Sequence, residues 1–128
     1  VIDEFSHIGK TIVSELRGER IETYEVTPEE VGIGRGKPDD IISGRSHKEN
    51  ALKALAVLAG RDRGPRRDLI LINSAAILYV GGACGDLKDG VELSRAAIDS
   101  GMALEKLRKL VAVSGGNPSR LEALLREV

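Results

Sequence analysis

Leu69-Ile70-Leu71-Ile72-Asn73-Ser74-Ala75-Ala76-Ile77-Leu78-Tyr79-Val80 is the longest nearly unbroken apolar stretch in the chain. Arg66-Arg67-Asp68 charges its front and Gly81-Gly82 closes its back. A bilayer span takes about 20 apolar residues, so this run is too short to cross one. It reads instead as a buried element. Apolar periodicity alone does not separate a strand from a helix here. The length and the central Ser74-Ala75-Ala76 favour a helix, because alanine is the best helix former and a poor strand residue. Helical spacing puts Leu69, Ile72, Ala76 and Tyr79 on one side, with Leu71, Ala75 and Leu78 beside them. The helix is apolar almost all round, which predicts neighbours on several faces and the other helices packed on it.

Working outward, composition sets the limits. A chain of 128 residues suggests one domain with a modest core. That core is aliphatic: the chain has no tryptophan, one phenylalanine and two tyrosines. A net charge of −1 gives no general pull towards nucleic acid or an anionic membrane. The single cysteine, Cys84, has no internal disulfide partner and sits between Ala83 and Gly85. A metal site there is not expected, and a reducing, cytoplasmic setting fits. No signal-peptide pattern or membrane-spanning segment stands out. Glutamine is absent and Arg exceeds Lys, a weak lean towards a heat-adapted source. The opening Val1-Ile2-Asp3-Glu4-Phe5 has no Met and reads as the interior of a longer chain, so a fragment is favoured over a processed start.

Residues 11–17, TIVSELR, and 20–27, RIETYEVT, alternate apolar and polar residues and are rich in β-branched ones. That predicts a β-hairpin over 11–27. Gly18-Glu19 joins the strands with glycine first, as a type II′ turn prefers. A lone hairpin is marginal in water and needs a sheet or helix to lean on. Thr27-Pro28-Glu29-Glu30 predicts a helix start, with Thr27 as N-cap, and Gly32 ends it after about one turn. Gly32-Ile33-Gly34-Arg35-Gly36-Lys37 superficially suggests a phosphate loop. Pro38 and two acids follow Lys37, where a P-loop needs Ser or Thr and a long helix. A mobile connection is the better reading.

From Ser46 onward the pattern is helical. Helices are predicted over 46–59, 67–80, 87–100, 103–113 and 118–127. Ser46 with Glu49 forms a capping box, Asp86 caps the third helix, and Asn117-Pro118 opens the last. Gly60, Gly81, Gly101 and Gly115-Gly116 stop helices. The expected result is one hairpin followed by five to six helices, an α+β arrangement with no internal repeat.

Few residues offer chemistry. His7 and His47 lie far apart, and each reads as a surface or turn histidine. The serines have no nucleophile-elbow context. Asn73 is the polar exception inside the apolar helix. A buried amide must be hydrogen-bonded, so Asn73 is expected to fix a neighbouring loop or backbone. Asp3-Glu4, followed by Ser6 and Gly9, is the remaining candidate. In a loop, both carboxylates reach one ion or a pair of ions. Mg²⁺ takes oxygen ligands of this kind, commonly one or two carboxylates plus substrate phosphates. Adjacent acids are also common on surfaces, and the spacing alone decides little.

The order of the letters says more. Asp3-Glu4-Phe5-Ser6, Gly9-Lys10-Thr11 and Val13-Ser14-Glu15-Leu16 resemble a segment of the anthranilate phosphoribosyltransferase family, which runs Asp-Glu, Ser, Gly-x-Thr and then a strand ending in Glu-Leu. The likeness continues through Tyr24, Thr27-Pro28-Glu29-Glu30 and Gly32, then Glu49-Asn50-Ala51. It includes Arg67-Asp68, Asn73, Ala75 and Leu78-Tyr79 of the central helix, and Gly90-Val91, Asp99-Ser100-Gly101, Ala103 and Leu107.

The resemblance covers nearly the whole chain and implies residues 1–128 as the C-terminal part of the α/β catalytic domain. The implied fold is an α+β fragment of an α/β phosphoribosyltransferase-type domain, of the nucleoside phosphorylase/phosphoribosyltransferase class. The N-terminal helical part and the Gly-Thr-Gly-Gly-Asp loop that binds diphosphate are absent from the chain. So are the family's anthranilate-contacting residues. What carries over is the acidic pair: Asp3 and Glu4 match the family's Mg²⁺-binding acids. The implied reaction is attack of anthranilate on C1 of phosphoribosyl diphosphate with loss of diphosphate, a step of tryptophan biosynthesis. The implied partners are those two substrates, the N-terminal part of the same enzyme and, when complete, a second copy. The chain alone is expected to be inactive. The alternatives are a paralogue with nucleoside phosphorylase or nucleic-acid-binding activity, or a non-catalytic helical interaction module of the same fold. Near-neutral charge argues against the nucleic-acid version.

Overall fold

The computed structural model describes residues 4–128, so Asp3 lies outside the described residues. The chain opens as the expected hairpin: β1 (Thr11–Arg17) pairs antiparallel with β2 (Arg20–Val26), Val13 opposite Tyr24 and Leu16 opposite Ile21. Gly18 takes φ +60° and no described non-glycine residue has positive φ. That fits a type II′ turn and excludes type I′, which needs positive φ at both central positions. Side chains alternate across the strands. Val13, Tyr24 and Val26 reach the core, whereas Ile12, Leu16 and Ile21 face outward.

The Thr27–Gly32 stretch is a 3-10 turn over Glu29–Val31, closed by Gly32 at φ 78°. Thr27 is not an N-cap acceptor. Its backbone N–H and its hydroxyl both donate to the Glu30 carboxylate, at 2.7 and 2.9 Å. The reach-back half of a capping box has formed without the other half. A second 3-10 turn, Pro38–Ile41, lies within the stretch expected to be a mobile connection. Pro38 presets its first φ, and Asp40 accepts the Lys37 N–H at 2.7 Å.

Five α-helices follow: α1 (His47–Leu58), α2 (Pro65–Val80), α3 (Leu87–Asp99), α4 (Met102–Val113) and α5 (Pro118–Leu125). The predicted caps form at Ser46, Asp86 and Asn117, each accepting the N–H three residues on. Glu49 completes no box with Ser46; its carboxylate accepts the Arg45 N–H instead.

The core has two parts. Val26, Val31, Ile33, Val57, Leu71, Ile72, Ala75, Val91 and Ile98 form the first, centred on the α2–α3 contact. Leu55, Leu121 and Leu125 form the second, with Leu104 and Leu107 against them. The expectation that the other helices surround α2 is therefore corrected. α3 takes one side of α2 and α1 reaches the same core through Val57, while α4 and α5 close on Leu55 at the other side of α1. Ile77 and Val80 of α2 remain 74% and 86% exposed. An apolar stripe reports that a face seeks cover, but not which element covers it.

Candidate active-site segment beside Glu4

Glu4 is exposed, and the chain that leaves it is anchored at once. The Phe5 N–H donates to Asn73 Oδ1 at 3.0 Å, and Asn73 Nδ2 donates to the Phe5 carbonyl at 2.9 Å. The second Nδ2 hydrogen goes to the Leu69 carbonyl one turn back, also at 2.9 Å. Both donors of the amide are used, and its oxygen is engaged. Asn73 therefore fixes a neighbouring backbone, as its place in an apolar helix predicted.

Further ties follow. Ser6 N–H donates to Thr11 Oγ1 at 3.0 Å, Ile8 N–H to Ser6 Oγ at 3.1 Å, and Gly36 N–H to the His7 carbonyl at 2.9 Å. That last bond occupies the N–H of a glycine in the Gly-rich loop. The loop's Arg35 is held by Glu29 at 2.7 Å. Both groups are thus paired within the chain.

His7 is not a surface histidine. It is fully buried, and its ring nitrogens have no hydrogen-bond partner among the described residues. The ring lies so close to Gly36 that a Cβ there would overlap it. The sequence signal for this burial was Gly36 itself, a residue that lets another group approach its backbone closely. Burial pushes the nearby Asp68 carboxyl above its ordinary range, with Arg95, His7 and Arg67 acting the other way. His47 is exposed at the start of α1, as read.

A second cluster, which sequence reasoning missed, ties the hairpin to α2. Glu15 accepts hydrogen bonds from the Tyr79 hydroxyl at 2.7 Å and the Tyr24 hydroxyl at 2.9 Å. Arg17 pairs with the same carboxylate at 3.0 Å and donates to Tyr79. The Arg17 guanidinium, then the two tyrosines, hold the Glu15 carboxyl down at about 2.

Among the described residues, no group of three or more His, Cys, Asp or Glu side chains converges on a metal position. A divalent cation at Glu4 would rest on that carboxylate and on groups outside the described residues. The donor chemistry fits Mg²⁺: an exposed hard oxygen ligand on anchored backbone, for an ion that keeps several waters and takes few protein carboxylates.

Residues 2–104 match the family described as "Glycosyl transferase family, a/b domain". The chain belongs to this family. As a glycosyl transferase family member, it is similar to proteins named anthranilate phosphoribosyltransferase. It is 42% identical to that of Methanococcoides burtonii over 95% of this chain and 34% of the relative. To that of Brucella ovis it is 43% identical over 92% of this chain and 34% of the relative. The crystal structure of the Thermus thermophilus anthranilate phosphoribosyltransferase superimposes with a TM-score of 0.79 at 35% identity, over 87% of this chain and 32% of that one. The chain thus spans about a third of the length of the relatives it matches. The hairpin followed by five helices is part of a phosphoribosyltransferase-type fold. Among the described residues, no helix is long and apolar enough to cross a membrane.

Proposed function

We propose that this chain is the C-terminal part of a cytoplasmic anthranilate phosphoribosyltransferase, and that its contribution to the chemistry is the Mg²⁺-binding pair Asp3-Glu4. The observation that carries this reading is the likeness to proteins of that name along 95% of the chain. The anchored backbone that follows Glu4 supports it.

In this reading Glu4 and Asp3 would hold the cation. Mg²⁺ bound there would supply charge neutralisation for the departing diphosphate. The chain's remaining residues are scaffold. They set the direction of the acidic segment and keep the hairpin docked on α2 through Glu15, Tyr24 and Tyr79. The groups that bind anthranilate and cradle the diphosphate belong to the remainder of the enzyme. Without them a metal site neither selects nor orients two substrates, so the isolated chain is inactive.

The partner is that remainder, about two-thirds of the relatives' length. Exposed Ile77 and Val80 on α2, beside an apolar groove lined by Phe5, Val13 and Ala76, support a seat for it here.

The test is turnover of anthranilate and phosphoribosyl diphosphate by the completed enzyme carrying Asp3→Asn and Glu4→Gln. Lewis-acid stabilisation is worth several kcal/mol, so kcat/KM should fall about 100-fold or more, with a raised Mg²⁺ requirement. Unchanged kinetics would remove the acidic pair from the mechanism.

A further inference from the structure

We infer that Asn73 is a positioning residue for Glu4: by holding both peptide groups of Phe5, it fixes the backbone from which Glu4 presents its carboxylate to a divalent cation–diphosphate ligand. This rests on the proposed reading of Asp3 and Glu4 as metal ligands.

The Phe5 N–H belongs to the peptide that joins Glu4 to Phe5, and the Phe5 carbonyl to the next one. Asn73 grips both, at 3.0 and 2.9 Å. Two consecutive peptide planes are therefore fixed immediately after the acids. The grip has one orientation. Rotating the amide by half a turn would set an NH₂ group against the Phe5 N–H and an oxygen against its carbonyl. The bond from Nδ2 to the Leu69 carbonyl holds the amide in that orientation against α2 itself. The platform is rigid because Asn73 follows Leu71 and Ile72, which are 0% and 1% exposed. Phe5 packs its ring against the same core. A ligand on an exposed segment gains its geometry from such outer contacts, and removing one typically weakens metal binding about 10- to 100-fold. An apolar residue at position 73 would keep α2 folded and release the segment. A residue that served the helix alone would have no reason to spend all of its hydrogen bonds in this way.

The experiment titrates Mn²⁺, a paramagnetic stand-in for Mg²⁺, with inorganic diphosphate into the isotope-labelled chain and follows the broadening of amide resonances. In the unsubstituted chain the signals of Glu4, Phe5 and Ser6 should broaden first, while those of α4 and α5 stay sharp. In Asn73→Ala the α2 and α3 resonances should stay in place, the Phe5 amide should lose hydrogen-exchange protection, and the Mn²⁺ midpoint should rise about 10-fold or more. Ile72→Val, which loosens the same helix without touching the clamp, should leave the midpoint unchanged. Should Asn73→Ala not fold, the near-isosteric Asn73→Asp loses both amide donors and should raise the midpoint likewise. A normal midpoint in a folded Asn73 variant overturns the inference alone. A midpoint that moves equally in Ile72→Val reduces Asn73 to a stability residue and also overturns it. Absence of selective broadening in the unsubstituted chain overturns the metal reading of Asp3-Glu4, and this role with it.

Discussion

Gly90 on α3 lies against Ala75 on α2 so closely that a Cβ built on it would stand 2.9 Å from the Ala75 Cα, Cβ and carbonyl oxygen. Two effects therefore oppose each other in Gly90→Ala. Helix propensity would gain about 1 kcal/mol. Overpacking a close helix crossing costs about 1–3 kcal/mol, and here the obstructing atoms are mostly backbone, which yields least. The sterics should win, with a net loss of up to about 2 kcal/mol. Urea unfolding should show a lower midpoint at unchanged slope. A stabilised variant would mean that α2 and α3 stand further apart than described.

The Glu15 cluster makes stability depend on acid. A free glutamate titrates near pH 4.3, and in the folded chain Glu15 is held down at about 2, chiefly by Arg17 and then by the two tyrosines. Its folded value is depressed, so its contribution is complete above the unfolded value and is lost as the pH falls towards 2. A plot of Tm against pH should drop through that window. Glu15→Gln should lower Tm at neutral pH and flatten the drop. An unchanged acid limb would show that the hairpin is not held by this carboxylate.

Gly36 and His7 should behave as one unit. Gly36→Ala forces the buried His7 ring to move and should cost about 1–3 kcal/mol. His7→Ala opens the space that the new methyl group needs. In the double variant the Gly36→Ala penalty should largely vanish, giving a coupling of about 0.5–3 kcal/mol in a double-mutant cycle of chemical denaturation. Simple additivity would contradict the contact.

Much of this fold was legible because local chemistry wrote it. Gly18-Glu19 named its turn, and Ser46, Asp86 and Asn117 named their helix starts. Asn73 was legible in another way, as an amide within an apolar helix that had to find partners. Relations across the chain were not legible. Nothing local to Ile77 and Val80 distinguishes them from Leu71 and Ile72, yet one pair faces outward and the other is buried. His7 looked like a turn residue because its cover comes from Gly36. Glu15, Tyr24 and Tyr79 read as separate strand and helix residues until the fold joined them. The acidic pair was singled out by the family likeness of the residues around it, since two adjacent carboxylates carry little information by themselves.

On the proposed function, this chain brings a metal-binding acidic segment to an enzyme whose other groups lie in the rest of its length. The most direct measurement is a turnover assay with anthranilate, phosphoribosyl diphosphate and Mg²⁺, run on the 128 residues alone and after mixing with the N-terminal two-thirds of a related transferase. No turnover by the chain alone, and its appearance on mixing, are the expected results. Clear turnover by the chain alone would contradict the proposed function.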